Sequence, residues 1–183
     1  MIWHAVNLKL TGFRYGVFSD ILRQGIGNAR LCMIPGILDG VVCRVLLTSP
    51  DYDWERVGFW VNEGPAFLVH GDRIFLTYSA SAAGACYCMG MLSIDADGDL
   101  LDPRAWKKER FPVLRTDGEK GVFGPGHNSF VRAEDGTTEL CFYHARQFDE
   151  ITGDPLYDPN RHTMVLALAY DNTGRPVFEI PKR

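Results

Sequence analysis

The stretch Pro65-Ala66-Phe67-Leu68-Val69-His70-Gly71-Asp72-Arg73-Ile74-Phe75-Leu76-Thr77-Tyr78 decides the fold class. Two apolar runs rich in aromatic and branched residues flank a short polar turn containing glycine, the pattern of an antiparallel hairpin. The same pattern recurs downstream. Cys86 to Ile94 reads as a strand ended by Asp95-Ala96-Asp97-Gly98-Asp99. Phe130-Val131-Arg132 and Glu139 to Tyr143 flank the turn Glu134-Asp135-Gly136-Thr137. Thr163 to Tyr170 and Val177 to Ile180 flank Asp171-Asn172-Thr173-Gly174. No segment after residue 60 keeps a helical period over about 11 residues. The 19 glycines and 10 prolines punctuate short apolar runs, so the chain reads as all-β. Hairpins spaced by a few tens of residues suit propeller blades or a sandwich, and periodicity alone leaves both open. Residues 1–42 show little alternation, and Val17 to Ile26 reads equally as a short helix or a strand.

Composition narrows the function classes. A chain of 183 residues with 46% hydrophobic residues is long enough for one domain with a real core. Its 19 Lys and Arg are dispersed and outnumbered by 23 Asp and Glu, giving a net charge of -4, so no nucleic-acid patch is expected. No apolar run reaches the roughly 18 residues of a membrane span, and none is expected. The N-terminus lacks a basic stretch followed by an apolar one, so no signal peptide is read and the cytoplasm is the default compartment. The five cysteines form neither a disulfide framework nor a four-ligand zinc set. They read as buried thiols, with Cys86 and Cys88 on one strand face.

Several motifs carry candidate chemistry. Asp95-x-Asp97-x-Asp99 lacks the glycine and terminal Glu positions of a calcium loop and reads as a solvated turn. Gly121-Val122-Phe123-Gly124-Pro125-Gly126 lacks the Lys-Ser/Thr ending of a phosphate loop. Its glycines allow the backbone to turn tightly and present His127 and Asn128. In Asn62-Glu63-Gly64-Pro65 a carboxylate opens an apolar strand. Burial there would raise its pKa, as a general acid requires, although an ordinary turn residue fits the tetrapeptide taken alone better. In Tyr143-His144-Ala145-Arg146 alternation puts Tyr143 and Ala145 on one face and His144 and Arg146 on the other. Arg146 can bind a sugar hydroxyl or pair with Asp149, Glu150 or Asp154. Two X-Pro steps keep Asp154-Pro155-Leu156-Tyr157-Asp158-Pro159-Asn160-Arg161-His162 extended, as a structured connector.

Taken in order, these pieces resemble glycoside hydrolase family 43, in its arabinofuranosidase- and xylosidase-like members. The carrying residues are Ser49-Pro50-Asp51-Tyr52-Asp53-Trp54-Glu55, Val61-Asn62-Glu63-Gly64-Pro65-Ala66 and Phe75-Leu76-Thr77-Tyr78-Ser79-Ala80-Ser81. Leu100-Leu101-Asp102-Pro103, Gly124-Pro125-Gly126-His127-Asn128-Ser129-Phe130, Tyr143-His144-Ala145-Arg146 and the residue 154–162 loop complete them. The resemblance implies a five-bladed β-propeller with a central active site that cleaves glycosidic bonds with inversion. Glu63 matches the general acid. His127 matches a histidine near the propeller axis, beside a calcium ion held through water. Arg146, Tyr78 and Asn128 are the candidate substrate contacts.

The same resemblance expects a base and a pKa-tuning carboxylate upstream of Glu63. Asp20 and Asp39 lie there in no recognisable motif and receive no role. At roughly 40–45 residues per blade the chain accommodates a partial propeller of about three to four blades. The expected organisation is thus an unassigned segment 1–42, non-native or truncated, followed by a partial glycosidase propeller at 43–183. The expected function is hydrolysis of terminal α-L-arabinofuranosyl or β-D-xylosyl residues in oligosaccharides or aryl glycosides. The alternative is an inactive propeller fragment with carbohydrate binding or protein interaction at most. Open blade edges offer a route to homo-oligomers.

Overall fold

The computed structural model describes residues 45–181 and three earlier strands, β1 (Ala5–Val6), β2 (Tyr15–Phe18) and β3 (Leu31–Pro35). These three join β4 (Val45–Thr48) in a four-stranded antiparallel sheet that bridges residues on either side of position 43. Asp20 and Asp39 lie outside the described residues. Of the 17–26 segment, only Val17 and Phe18 are described, both in β2.

The second sheet is a meander of β5 (Asn62–His70), β6 (Arg73–Ala80), β7 (Cys88–Asp95) and β8 (Lys107–Lys108). His70 pairs with Arg73, so Gly71 and Asp72 alone make the turn. Gly71 takes φ +59°, which a side chain would resist there. The third sheet holds β9 (Phe123–Arg132), β10 (Glu139–Arg146) and β11 (His162–Ala167), with β10 central. A short pair, β12 (Ala169–Tyr170) and β13 (Pro176–Val177), follows. Among the described residues the only helical turns are two 3-10 turns, Asp53–Glu55 and Gly118–Lys120. None is long and apolar enough to cross a membrane.

The sheets pack face to face because β6 is buried on both faces. Ile74, Leu76, Tyr78 and Ala80 point one way and join Leu47 of β4, Leu92 and Trp106 in one core cluster. Phe75 points the other way and joins Met89, Met91, Cys141, Tyr143, Ala145 and Leu166 in a second. Leu76, Phe75, Met89 and Met91 are wholly buried, and burial of each such side chain stabilises by about 1.5–3 kcal/mol. A strand buried on both sides loses its alternation, which is why β6 and β7 read as continuous apolar runs. The result is an all-β stack of sheets of the β-propeller type, three blades with a short fourth piece.

The thiol reading changes in one respect. β7 begins at Cys88, and Cys86 lies in the preceding turn with its Sγ 3.4 Å from the Ala82 carbonyl. Cys88 and Cys141 are buried, Cys86 only partly, and all three are free. Burial pushes both the Cys88 and Cys141 thiols up to about 12.

Candidate active site

Three strand irregularities at one end of the second and third sheets build the site. Between Glu63 and Ala66 the pairing of β5 with β6 slips, so Gly64 and Pro65 together oppose Tyr78. Gly64 adopts φ +56° within this bulge. Two further slips interrupt β9 against β10, between Phe142 and His144 and between His144 and Arg146. His127 itself sits at φ +49°, an unusual conformation for a residue with a side chain. Bulges re-aim side chains beside active sites. Here they turn Glu63 and His127 toward each other: His127 Nδ1 lies 3.9 Å from Glu63 Oε1. A Cβ on Gly64 would stand 3.1 Å from His127 Nδ1.

Two residues that sequence reasoning did not select complete the cluster. Tyr87, one residue before β7, donates its hydroxyl to Glu63 Oε1 at 2.5 Å. His144 of β10 stacks on the Tyr87 ring, with centroids 5.5 Å apart and planes within 8°, and on the His127 ring at 6.2 Å. The backbone N–H of His127 donates to Ser79 Oγ at 2.7 Å. The signal for His144 was present in its parity, since Tyr143 and Ala145 do face the core and leave His144 on the opposite side. Nothing local marks Tyr87, which meets Glu63 only through the pairing of β5, β6 and β7.

Electrostatics correct one expectation. Burial does raise the Glu63 carboxyl, and it is the largest single influence. His127 and the Tyr87 hydroxyl, with a smaller charge effect from His144, together outweigh it and hold Glu63 below its ordinary value. His127 is raised by its carboxylate partner against the opposing effect of burial. His144 is lowered to about 4, first by burial and then by the positive charges of Arg161, His127 and Arg146. The consequence for stability has a definite sign. Between about pH 6.5 and about pH 4 the unfolded chain binds a proton at His144 that the folded chain does not, so folding weakens as pH falls through this window. We expect the urea midpoint of a His144→Phe variant to fall less over that range than the wild-type midpoint, and equal slopes would refute the assignment.

The other expected site residues take different places. Tyr78 is fully buried in the first core cluster, and its hydroxyl donates to Glu55 Oε1 at 2.8 Å. It cannot reach a sugar from there, because Glu63 pairs with Ser79 and the next residue along β6 faces away. Arg146 is also buried. Its guanidinium donates to Asp158 Oδ1 at 3.0 Å, to the Ala83 carbonyl at 2.8 Å and to the Pro155 carbonyl at 2.9 Å. It ties the residue 154–162 loop to the turn before β7, and its partner is none of Asp149, Glu150 or Asp154. Asn128 is buried beside the cluster, where its Oδ1 accepts a bond from Thr77 at 3.0 Å. Its Nδ2 has no partner among the described residues.

Calcium takes six to eight oxygen ligands. The described residues place one carboxylate near His127, and no three His, Cys, Asp or Glu side chains among them converge on a metal position. They do not fit direct coordination of the ion.

Successive antiparallel sheets with a half-buried carboxylate at a bulged strand start define a β-propeller-type protein. The chain belongs to the glycosyl hydrolases family 43, whose sequence profile matches residues 35–176. It is 49% identical over 135 residues to an extracellular exo-alpha-(1->5)-L-arabinofuranosidase of Streptomyces avermitilis, covering 74% of this chain and 28% of that protein. It is 47% identical over 137 residues to alpha-L-arabinofuranosidase 43 of Humicola insolens, covering 75% and 28%. The crystal structure of an alpha-L-arabinofuranosidase from Lactobacillus brevis superimposes with a TM-score of 0.87 at 43% identity, covering 99% of this chain and 56% of that one. The chain therefore spans little more than a quarter of either relative and about half of the solved structure. The cytoplasmic expectation does not stand, because a relative at 49% identity is named extracellular.

Proposed function

We propose that this chain is part of a secreted glycoside hydrolase that removes terminal α-L-arabinofuranosyl residues from oligosaccharides, with Glu63 as general acid. The observation that carries the reading is the Glu63 carboxyl itself: half-buried at a bulged strand start, bonded by Tyr87, faced by His127, and still 26% open to a ligand. An inverting reaction needs a second carboxylate roughly 6.5–9.5 Å away to activate water. None of the groups that shift Glu63 among the described residues is a carboxylate. A base carboxylate facing Glu63 would act on it as a like charge and lift it toward the pKa of a working acid. Substrate preference follows the named arabinofuranosidases, with β-D-xylosides as the weaker substrate. A calcium ion held through water near His127 and a homo-oligomer formed on the exposed edge of β11 belong to the same proposal.

The test is hydrolysis of an aryl α-L-arabinofuranoside and an aryl β-D-xyloside by the purified chain. We expect the arabinofuranoside to be cleaved faster. The unmatched Glu63 supports a second reading, a folded half-site that binds sugar without turnover. A folded chain inert toward both substrates would establish that reading instead.

A further inference from the structure

Glu63 is a carboxylate whose two oxygens are not equivalent. Oε1 accepts the Tyr87 hydroxyl at 2.5 Å and lies 3.9 Å from His127 Nδ1. Oε2 receives no hydrogen bond among the described residues and is not a buried orphan. The side chain is 26% exposed, so solvent or a ligand reaches it past the bonded oxygen.

Tyr87 is held in place from several sides. It is buried, and His144 stacks on one face of its ring. Gly126 touches it from β9: a Cβ there would stand 2.3 Å from Tyr87 Cε1 and 2.9 Å from Ser79 Oγ. The absence of a side chain at Gly126 is what lets the ring lie under Glu63. A phenol so enclosed has little freedom to turn, and its O–H donates to a carboxylate oxygen that carries no proton, with Ser79 as a second hydrogen-bonding neighbour of the hydroxyl.

We propose that Tyr87 is a positioning residue that occupies Oε1 of Glu63, so that Oε2 is the oxygen that carries the proton to the leaving group. The inference rests on the reading of Glu63 as general acid. In the step itself the O–H bond at Oε2 breaks and the proton passes to the glycosidic oxygen. The electron pair of the breaking carbon–oxygen bond stays on that same oxygen, which departs as a neutral alcohol while the anomeric carbon takes a new bond from the attacking water, whose proton passes to the base. Glu63 is left as a carboxylate, and Tyr87 keeps its own proton on Oε1. The bond fixes the carboxyl plane, so the acid proton approaches from one direction only. It also stabilises the carboxylate product of the transfer, a contribution largest where protonation of the leaving group is most advanced.

The experiment compares the wild type with Tyr87→Phe on a series of aryl α-L-arabinofuranosides of graded leaving-group acidity and on an arabinofuranosyl oligosaccharide. We expect KM to stay within about twofold and kcat on the oligosaccharide to fall about tenfold or more, with little loss for the most acidic phenols, as reduced acid assistance requires. A loss equal across the series would mean a merely structural role and would overturn the proposal. The second arm needs no turnover. The Tyr87 13Cζ resonance is followed in the wild-type chain and in Glu63→Gln, where the ionised acceptor is gone. We expect it to move, and an unchanged resonance would overturn the proposal even in an inactive or poorly folding Tyr87→Phe chain. An inert wild type with a responsive Tyr87 would count against the glycosidase reading of this chain while upholding the hydroxyl's hold on Oε1.

Discussion

Replacement of Glu63 by glutamine is expected to lower kcat on an arabinofuranosyl oligosaccharide by about a hundred- to ten-thousand-fold, the range that general acid assistance supplies. The amide keeps the shape of the side chain and can still accept the Tyr87 hydroxyl, so the fold around β5 should persist. What it cannot do is give up a proton to a departing alcohol. A sugar alkoxide is a poor leaving group and needs that proton; an acidic phenol needs it far less. The loss should therefore shrink as the leaving group improves, and the order of substrates should separate a missing acid from a misfolded site. The pH profile gives an independent reading. In the wild type the alkaline limb of kcat/KM belongs to the acid, and the described partners of Glu63 hold that group low, through His127 and Tyr87 against the opposing effect of burial. This limb should vanish in the glutamine variant. Retention of the oligosaccharide rate within tenfold would remove Glu63 from the acid role.

The hairpins around Gly71 and residues 134–137 could be read directly because each strand alternates around a turn whose residue types dictate its geometry. Glu63 was legible only through the family resemblance, because its tetrapeptide alone fits an ordinary turn residue better. The direction of its pKa was not. Burial is a local property that sequence suggests, whereas Tyr87 and His127 arrive from β7's approach and from β9, through register slips that no short motif encodes. The misplacement of Tyr78 has the same cause: the register set by the His70–Arg73 turn would put Glu63 opposite Ala80, on the Tyr78 face, and the bulge at Gly64 and Pro65 puts it opposite Ser79 instead. For Arg146 the residue type was informative and the partner was not. Asp158 is reached because the X-Pro loop folds back under the strand end, where Asp158 also caps the Asn160 N–H at 3.0 Å.

The Ser49-to-Glu55 motif has a structural meaning that leads to the largest expected stability effect. Glu55 closes the 3-10 turn Asp53–Glu55 and is completely buried. Its Oε2 accepts the backbone N–H groups of Asp51 at 2.7 Å and Tyr52 at 2.8 Å, and the Lys108 ammonium at 2.8 Å; its Oε1 accepts the Tyr78 hydroxyl. Lys108 in turn lies 4.9 Å from the centre of the Tyr52 ring and 5.8 Å from that of Tyr78. Every oxygen of the carboxylate is satisfied, and the charge is matched by one ammonium that is only 15% exposed. Removing one member of such a pair leaves the other charged and desolvated, at a cost of about 3–5 kcal/mol. Glu55→Gln should therefore lower the melting temperature by about 6–20 °C at the usual ratio for a domain of this size. The double variant Glu55→Gln with Lys108→Met should recover part of the loss, because it removes the stranded ammonium as well. Additive losses in that cycle would show that the two side chains are not coupled, and the motif's value would then lie in its backbone turn alone.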